Sequence, residues 1–155
     1  MTSMWIETPE QMQSLGESIA AVAHGGDVLI LTGELGAGKT TFAQGVARGL
    51  GITEPVTSPT FVMSKSYPRV GSLGLLHLDV YRVSAVDQLL DLWSEIDAKN
   101  ALTLVEWGKP WAGEFGESVV EMRINSESEF GREIDFTAYP PSGDSFLRRV
   151  ESVVT

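Results

Sequence analysis

A chain of 155 residues, 43% hydrophobic and 21% charged, has the length and composition of one globular domain with a core of real size. It has no cysteine, which excludes disulfides, thiolate chemistry and Cys-ligated zinc, and its two histidines, His24 and His77, lie too far apart for a histidine metal cluster, so any metal should be a hard ion on oxygen ligands. With 21 acidic against 11 basic residues the net charge is −10, which argues against a nucleic-acid-binding face; no apolar run nears a membrane span and no basic-then-apolar leader opens the chain, so a soluble cytoplasmic protein without membrane contact is expected.

In chain order, Met4–Glu7 reads as a short edge strand. Thr8-Pro9-Glu10-Gln11 reads as a helix start, with Thr8 as cap, Pro9 in the first helical position and Gln11 completing a capping box. Met12, Leu15, Ile19 and Val22 form this helix's apolar stripe and Gly25-Gly26 end it. It is an addition ahead of a minimal nucleotide-binding core, placed to close over one side of a base. Asp27–Thr32 holds a run of branched apolar residues, as expected of a buried parallel strand. That strand delivers Gly33-Glu34-Leu35-Gly36-Ala37-Gly38-Lys39-Thr40, which fits Gly-x-x-x-x-Gly-Lys-[Ser/Thr] at every constrained position. Thr40–Leu50 follows as helix, with Phe42, Val46 and Leu50 on one stripe.

Phosphate chemistry explains these residue types. Gly33, Gly36 and Gly38 let the backbone turn tightly and present N–H groups where a side chain would block a phosphate. The helix that follows adds its unpaired N-terminal N–H groups and positive dipole end. Lys39 is placed to reach the β- and γ-phosphates, Thr40 to offer its hydroxyl to Mg²⁺ and Thr41 to touch the α-phosphate.

Beyond the helix, Pro55 and Pro59 make Thr53–Thr60 a loop rich in hydroxyls, and Thr57 and Thr60 are its candidates for sensing a γ-phosphate and Mg²⁺. Phe61–Tyr67 and Leu73–Val80 read as a β-hairpin whose second strand ends at Asp79, a candidate Mg²⁺ ligand at the carboxyl edge of the sheet. His77, on the same strand face, is expected to be packed and hydrogen-bonded; Tyr81-Arg82 reads as a surface anchor, or Arg82 as a bidentate partner of a carboxylate or phosphate, with a structural ion pair favoured. Ser84–Leu92 suits a short helix capped by Ser84, with Val86, Leu89 and Leu90 inward and Asp87 third, and Asp97–Asn100 a turn. Ala101–Glu106 is another apolar strand ending in an acid, so Asp79 and Glu106 give one sheet edge two carboxylates, either of which could orient an attacking water. Trp107 offers a flat face for packing or for stacking near the site, with packing favoured. Val119–Ile124 and Arg132–Ala138 read as an antiparallel hairpin beside the main sheet. Ser142-Gly143-Asp144 starts a last helix that packs through Phe146, Leu147, Val150 and Val153, with Arg148-Arg149 as ordinary surface charge.

Together these segments resemble the bacterial TsaE (YjeE) family, the small ATPases of tRNA threonylcarbamoyladenosine synthesis. The resemblance is carried by Gly33–Phe42, Ser58-Pro59-Thr60-Phe61, His77-Leu78-Asp79-Val80-Tyr81-Arg82 and Glu106-Trp107, and extends over about residues 4 to 150. It implies an α/β, three-layer P-loop NTPase-like fold with a mixed, mainly parallel central sheet and flanking helices. It also implies an ATPase, weak without partners, that binds ATP and Mg²⁺ and supports turnover of a TsaB–TsaD complex, with tRNA met only indirectly through that complex. By position, Thr40 and Glu106 would bind Mg²⁺, Asp79 would act at the metal and water with Lys39 on the phosphates, and Ser58–Thr60 would form a switch. Arg132 would lie against the adenine with the Thr8–Glu10 turn on its other side. Two departures stand out: Gly108-Lys109 follows Glu106-Trp107 where the family often has a further acid, and a glycine common near Leu92 is missing.

Two other nucleotide-handling classes share a phosphate loop. A GTPase usually recognises guanine through Asn-Lys-x-Asp, and Lys99-Asn100 is reversed and lacks the Asp, which favours ATP. A small-molecule kinase usually has an Arg-rich lid, and no such cluster stands out. A nucleotide-dependent binding module with negligible turnover is a third reading.

Overall fold

The computed structural model describes residues 2–34 and 36–154. Its strands are β1 (Thr2–Ile6), β2 (Val28–Thr32), β3 (Ser64–Tyr67), β4 (Gly74–Asp79), β5 (Ala101–Glu106), β6 (Val119–Asn125) and β7 (Arg132–Tyr139). Its helices are α1 (Pro9–Val22), α2 (Lys39–Gly49), α3 (Val86–Leu92), α4 (Glu95–Ala98) and α5 (Gly143–Glu151), with a 3₁₀ turn over Lys109–Glu114. The described residues form one sheet of seven strands in the order β1-β7-β6-β2-β5-β4-β3. The central pairs β6/β2, β2/β5 and β5/β4 are parallel, and the outer pairs β1/β7, β7/β6 and β4/β3 are antiparallel. This is the mixed, mainly parallel α/β sheet expected of a P-loop NTPase fold.

Alternation along the strands fixes the two faces. Leu29, Leu31, Leu102 and Leu104 turn towards α1, α2 and α5, joining Ile19, Phe42, Val46, Phe146 and Val150 in the larger core. Val28, Ile30, Leu78 and Val105 turn the other way, towards α3, α4 and the 3₁₀ turn, where Leu89, Trp93 and Phe115 close a smaller core. Fully buried side chains of this size each contribute about 1.5–3 kcal/mol. The central strands are covered on both faces, which is why they read as near-continuous apolar runs.

The start of α1 follows its sequence signature: the Thr8 side chain accepts from the Gln11 amide, with Pro9 in the first turn. The Gln11 side chain reaches back to the Glu7 amide at 2.7 Å, one residue beyond the expected box. Five expectations are corrected. The β6–β7 hairpin is not beside the main sheet; β6 pairs directly with β2. Phe61–Met63 belong to a turn and only Ser64–Tyr67 make a strand, because Pro59 O accepts the Met63 amide and curls the chain there. Ala85, not Ser84, is the N-cap of α3, and Gln88 Oε1 instead accepts from the Ser84 amide and hydroxyl. Val86 and Leu90 face outward, because so short a helix buries little beyond Leu89. Arg149 is not ordinary surface charge: its guanidinium grips the buried Asp27.

Candidate nucleotide site

The phosphate loop runs from the end of β2 to the first turn of α2. Gly36 and Gly38 have φ of +82° and +116°, a region nearly closed to residues with a Cβ. At Gly33 a Cβ would stand 3.0 Å from the Ile124 carbonyl and 3.1 Å from the Ala37 Cβ. Gly38 caps α2 without a side-chain hydrogen bond, so among the described residues the first-turn N–H groups of Lys39, Thr40 and Thr41 meet neither a preceding helical carbonyl nor a side-chain acceptor. Such a terminus suits an anion. Leu35, also expected to contact nucleotide, lies outside the described residues, and Glu34 is exposed.

The loop is anchored from two sides. Beneath it, the Thr32 hydroxyl donates to Glu121 Oε2 at 2.6 Å, and the Tyr139 hydroxyl donates to Glu121 Oε1 at 3.3 Å. Burial first, and then the charge of Glu121, push the Tyr139 phenol above its ordinary range. Beside it, Arg132 Nε donates to the Ala37 carbonyl at 3.1 Å, while its Nη1 binds the carbonyls of Ser128 and Gly131.

Parallel pairing puts Asp79 in register with Glu106 at the carboxyl edge of β4 and β5. Both acids are buried at 4% exposure, as is Lys39 at 7%. Lys39 Nζ donates to the Gly33 carbonyl at 2.8 Å, lies 3.8 Å from Glu106 Oε1, and sits 4.4 Å from the centre of the Trp107 ring. Glu106 Oε2 is bonded to His77 Nε2 at 2.8 Å, and Asp79 Oδ1 accepts the Tyr81 amide at 3.0 Å. Trp107 is not a core residue: it is 42% exposed, has a φ of +65°, and packs on Tyr81 at 5.1 Å. Gly108 tucks in behind it, where a Cβ would come within 2.6 Å of Val105 Cγ1, so the close approach itself calls for glycine at this departure from the family pattern. Arg82 forms no ion pair among the described residues and instead lines the cavity mouth.

The hydroxyl-rich loop borders the same space. Ser58 and Thr60 hydroxyls are 2.7 Å apart, and the Thr57 hydroxyl is bonded to Lys65 Nζ. Its far end is tied to the acid, since the Asp79 amide donates to the Met63 carbonyl at 2.9 Å.

Two cavities flank the phosphate loop. The larger, ≈ 530 Å³, brings together Lys39, Thr40, Thr60, Asp79 and Glu106. The smaller, ≈ 280 Å³, lies between Thr8 and Arg132. Gly36, Gly38 and Thr41 line both, so the two spaces meet at the loop. Gly33 and Glu34 line neither and border a separate cleft with Arg123 and Asn125. The donors expected from the sequence to bind a metal, the Thr40 hydroxyl and the Asp79 and Glu106 carboxylates, all line the larger cavity and are all hard oxygens. Among the described residues no cluster of three His, Cys, Asp or Glu side chains could hold a metal by itself. That set fits Mg²⁺, which keeps several waters and shares its shell with substrate phosphates. Sequence reasoning missed Glu121; it foresaw a packed, hydrogen-bonded His77 without naming Glu106 as the partner, and it did not single out Lys39 as what Trp107 meets. Only the alternation of β6, which puts an acid on an inward face, hinted at the first.

A family model described as "Threonylcarbamoyl adenosine biosynthesis protein TsaE" matches residues 6–134, a span that includes every residue lining the two cavities. The tRNA threonylcarbamoyladenosine biosynthesis protein TsaE of Bacillus subtilis is 42% identical over 130 residues, covering 84% of this chain and 81% of its own. The protein of the same name from Streptomyces coelicolor is 40% identical over 116 residues, covering 74% and 78%. The crystal structure of Bacillus subtilis YdiB superposes with a TM-score of 0.78 at 35% identity, over 98% of this chain and 93% of that one.

Proposed function

The chain belongs to the TsaE family of threonylcarbamoyl adenosine biosynthesis proteins, and from that premise we propose that residues 1–155 act as one P-loop ATPase domain serving threonylcarbamoyladenosine modification of tRNA. It binds ATP with Mg²⁺, hydrolyses it slowly on its own, and uses the cycle to support turnover of a TsaB–TsaD complex, meeting tRNA only through that complex. The observation that carries the nucleotide part is the pair of cavities joined at the phosphate loop. One is lined by a lysine, hydroxyls and two acids for a polyphosphate, the other lies between Thr8 and Arg132 for a base.

The roles follow from the groups available. Lys39 exchanges the Gly33 carbonyl for phosphate oxygens, a step helped by its long stem and by the Trp107 ring over which its ammonium sits. First-turn amides of α2 receive the phosphates. Thr40, Asp79 and Glu106 would hold Mg²⁺, which when bound neutralises charge on the transferred phosphoryl group. Glu106 or Asp79 orients the attacking water. Thr60, on a loop tied to the Asp79 amide through Met63, couples the state of the γ-phosphate to the shape of the outer rim.

Calorimetry with ATP and Mg²⁺ on the parent and on Lys39→Ala tests the site. The parent should bind and the variant should lose measurable affinity while keeping its circular dichroism; equal affinities would refute the reading. The partner half is tested by pulldown with TsaB and TsaD at ATP, ADP and no nucleotide, with phosphate release read in parallel. Association that depends on nucleotide is expected, and absence of association under all three conditions would turn the reading towards a small-molecule kinase.

A further inference from the structure

We propose that His77 is a positioning residue for Glu106: its Nε2–H holds one carboxylate oxygen fixed and leaves the other turned to the phosphate-loop lysine. The inference rests on the nucleotide reading above. His77 is fully buried, and its Nε2 lies 2.8 Å from Glu106 Oε2. A carboxylate only accepts, so Nε2 carries the hydrogen. The other ring nitrogen, Nδ1, is buried with no partner among the described residues. A histidine retained only for packing would do better as an apolar residue of the same volume, which would leave no orphaned acceptor. Among the described residues the imidazole's one polar contact is the bond to Glu106.

Strand register shows why that bond is needed. Asp79 is the residue paired with Glu106, whereas His77 is paired with Leu104, one pleat further down the strand. Glu106 therefore leans back along the sheet to meet His77. Its free oxygen stays 3.8 Å from Lys39 Nζ, beyond hydrogen-bonding distance. Without the imidazole a flexible glutamate facing a buried ammonium would close on it directly, because attraction between unit charges grows steeply in a dry site. Lys39 would then be harder to release to a phosphate, and the carboxylate would be turned from the metal position. His77 holds the acid back from that collapse.

The test compares H77L, H77Q, E106Q and the H77L/E106Q double variant for ATP hydrolysis and for the Mg²⁺ concentration that half-saturates the metal-dependent gain in ATP affinity. Glutamine is the rescue variant, because its side-chain amide reaches as far as Nε2 and donates from the same place. For H77L, kcat should fall and the Mg²⁺ requirement should rise by about 10-fold or more, as is usual when a residue orienting a metal-binding carboxylate is removed. Its affinity for ATP without metal should also fall, though by less, because the collapsed acid holds Lys39, and on top of E106Q the substitution should add no more than about twofold to either loss. H77Q should recover most of the loss. Equal impairment of H77L and H77Q, or a full H77L effect persisting in E106Q, would overturn the proposal and leave His77 as packing. If H77L does not fold, H77N replaces it, since its amide stops short of Glu106. Failure of the parent chain to bind ATP with Mg²⁺ would be seen before any variant is made and would count against the nucleotide reading itself.

Discussion

Lys39 shows how single contacts prepare this site. Its ammonium is almost fully buried, yet among the described residues only one carbonyl bonds it, with Glu106 and the Trp107 ring near enough to offset its charge without holding it tightly. A cation so placed is ready to transfer to a stronger anion. Removing the acid therefore acts twice: Glu106→Ala deprives the metal of a ligand and leaves Lys39 with less to balance it. The expected outcome is a drop of at least about tenfold in Mg²⁺-dependent ATP affinity and hydrolysis, since a bound metal ion supplies several kcal/mol of charge stabilisation and loses part of its hold with each ligand removed. Titration of Mg²⁺ against ATP binding checks it, and an unchanged Mg²⁺ dependence would remove Glu106 from the site. Below the loop, Tyr139 gives a pH signature. Its phenol, raised in the fold by burial and by Glu121, stays protonated where the unfolded chain's phenol has begun to ionise. The unfolded state then binds fewer protons, so this contribution to stability is intact below the usual phenol range and is lost as pH rises above about 10. Tyr139→Phe should flatten that part of the curve of urea midpoint against pH.

Among the elements, the pairing of α1 with α2 decides the shape of the base cavity. The two helices touch backbone to backbone: a Cβ on Gly16 would stand 2.5 Å from the Phe42 carbonyl, and one on Gly45 would stand 2.1 Å from the Gln13 carbonyl. Neither neighbour is a side chain that could swing away. Gly45→Ala should therefore force the helices apart and cost about 1–3 kcal/mol, as overpacking does, despite alanine's better helix propensity. Urea denaturation reads the loss. Because α1 carries Thr8 and Met12 into the smaller cavity and nothing into the larger, affinity for ATP should fall more than affinity for inorganic triphosphate. The sequence made both helices legible through Thr8-Pro9 and the 3.6-residue stripes, because caps and burial are local in their causes. Their crossing was not legible, since an interior glycine looks the same in sequence whether it is a weak point or a contact. The same limit applied to β6: alternation announced a strand, but nothing local to Val119–Asn125 says that its partner is β2, roughly ninety positions earlier.

For the whole molecule, function and stability are gathered at opposite ends of the sheet. The acids, the phosphate loop and both cavities occupy the carboxyl edge, while Asp27 sits just before β2 at the other. Its carboxylate accepts from the His24 amide at 2.7 Å, the Ser118 hydroxyl at 2.7 Å and two nitrogens of Arg149 at 2.7 and 3.1 Å. One buried charge thus ties the end of α1, the entry to β6 and the last helix to the central strand. In sequence, Arg148-Arg149 looked like surface charge, because the pairing partner is 122 positions away and only the fold brings it within reach. By contrast, the phosphate loop and the two strand-ending acids were legible because their chemistry dictates type and spacing. Arg149→Met keeps much of the side chain's packing but strands Asp27 without its counter-ion, a change that costs about 3 kcal/mol when a buried pair is broken from one side. The midpoint of thermal or urea unfolding should fall accordingly. ATP affinity, measured well below that midpoint, should be unchanged, because no atom of the Asp27 network borders either cavity. A parallel loss of affinity would show that the two ends of the sheet are coupled, and that the helix closing the amino edge helps to shape the phosphate loop.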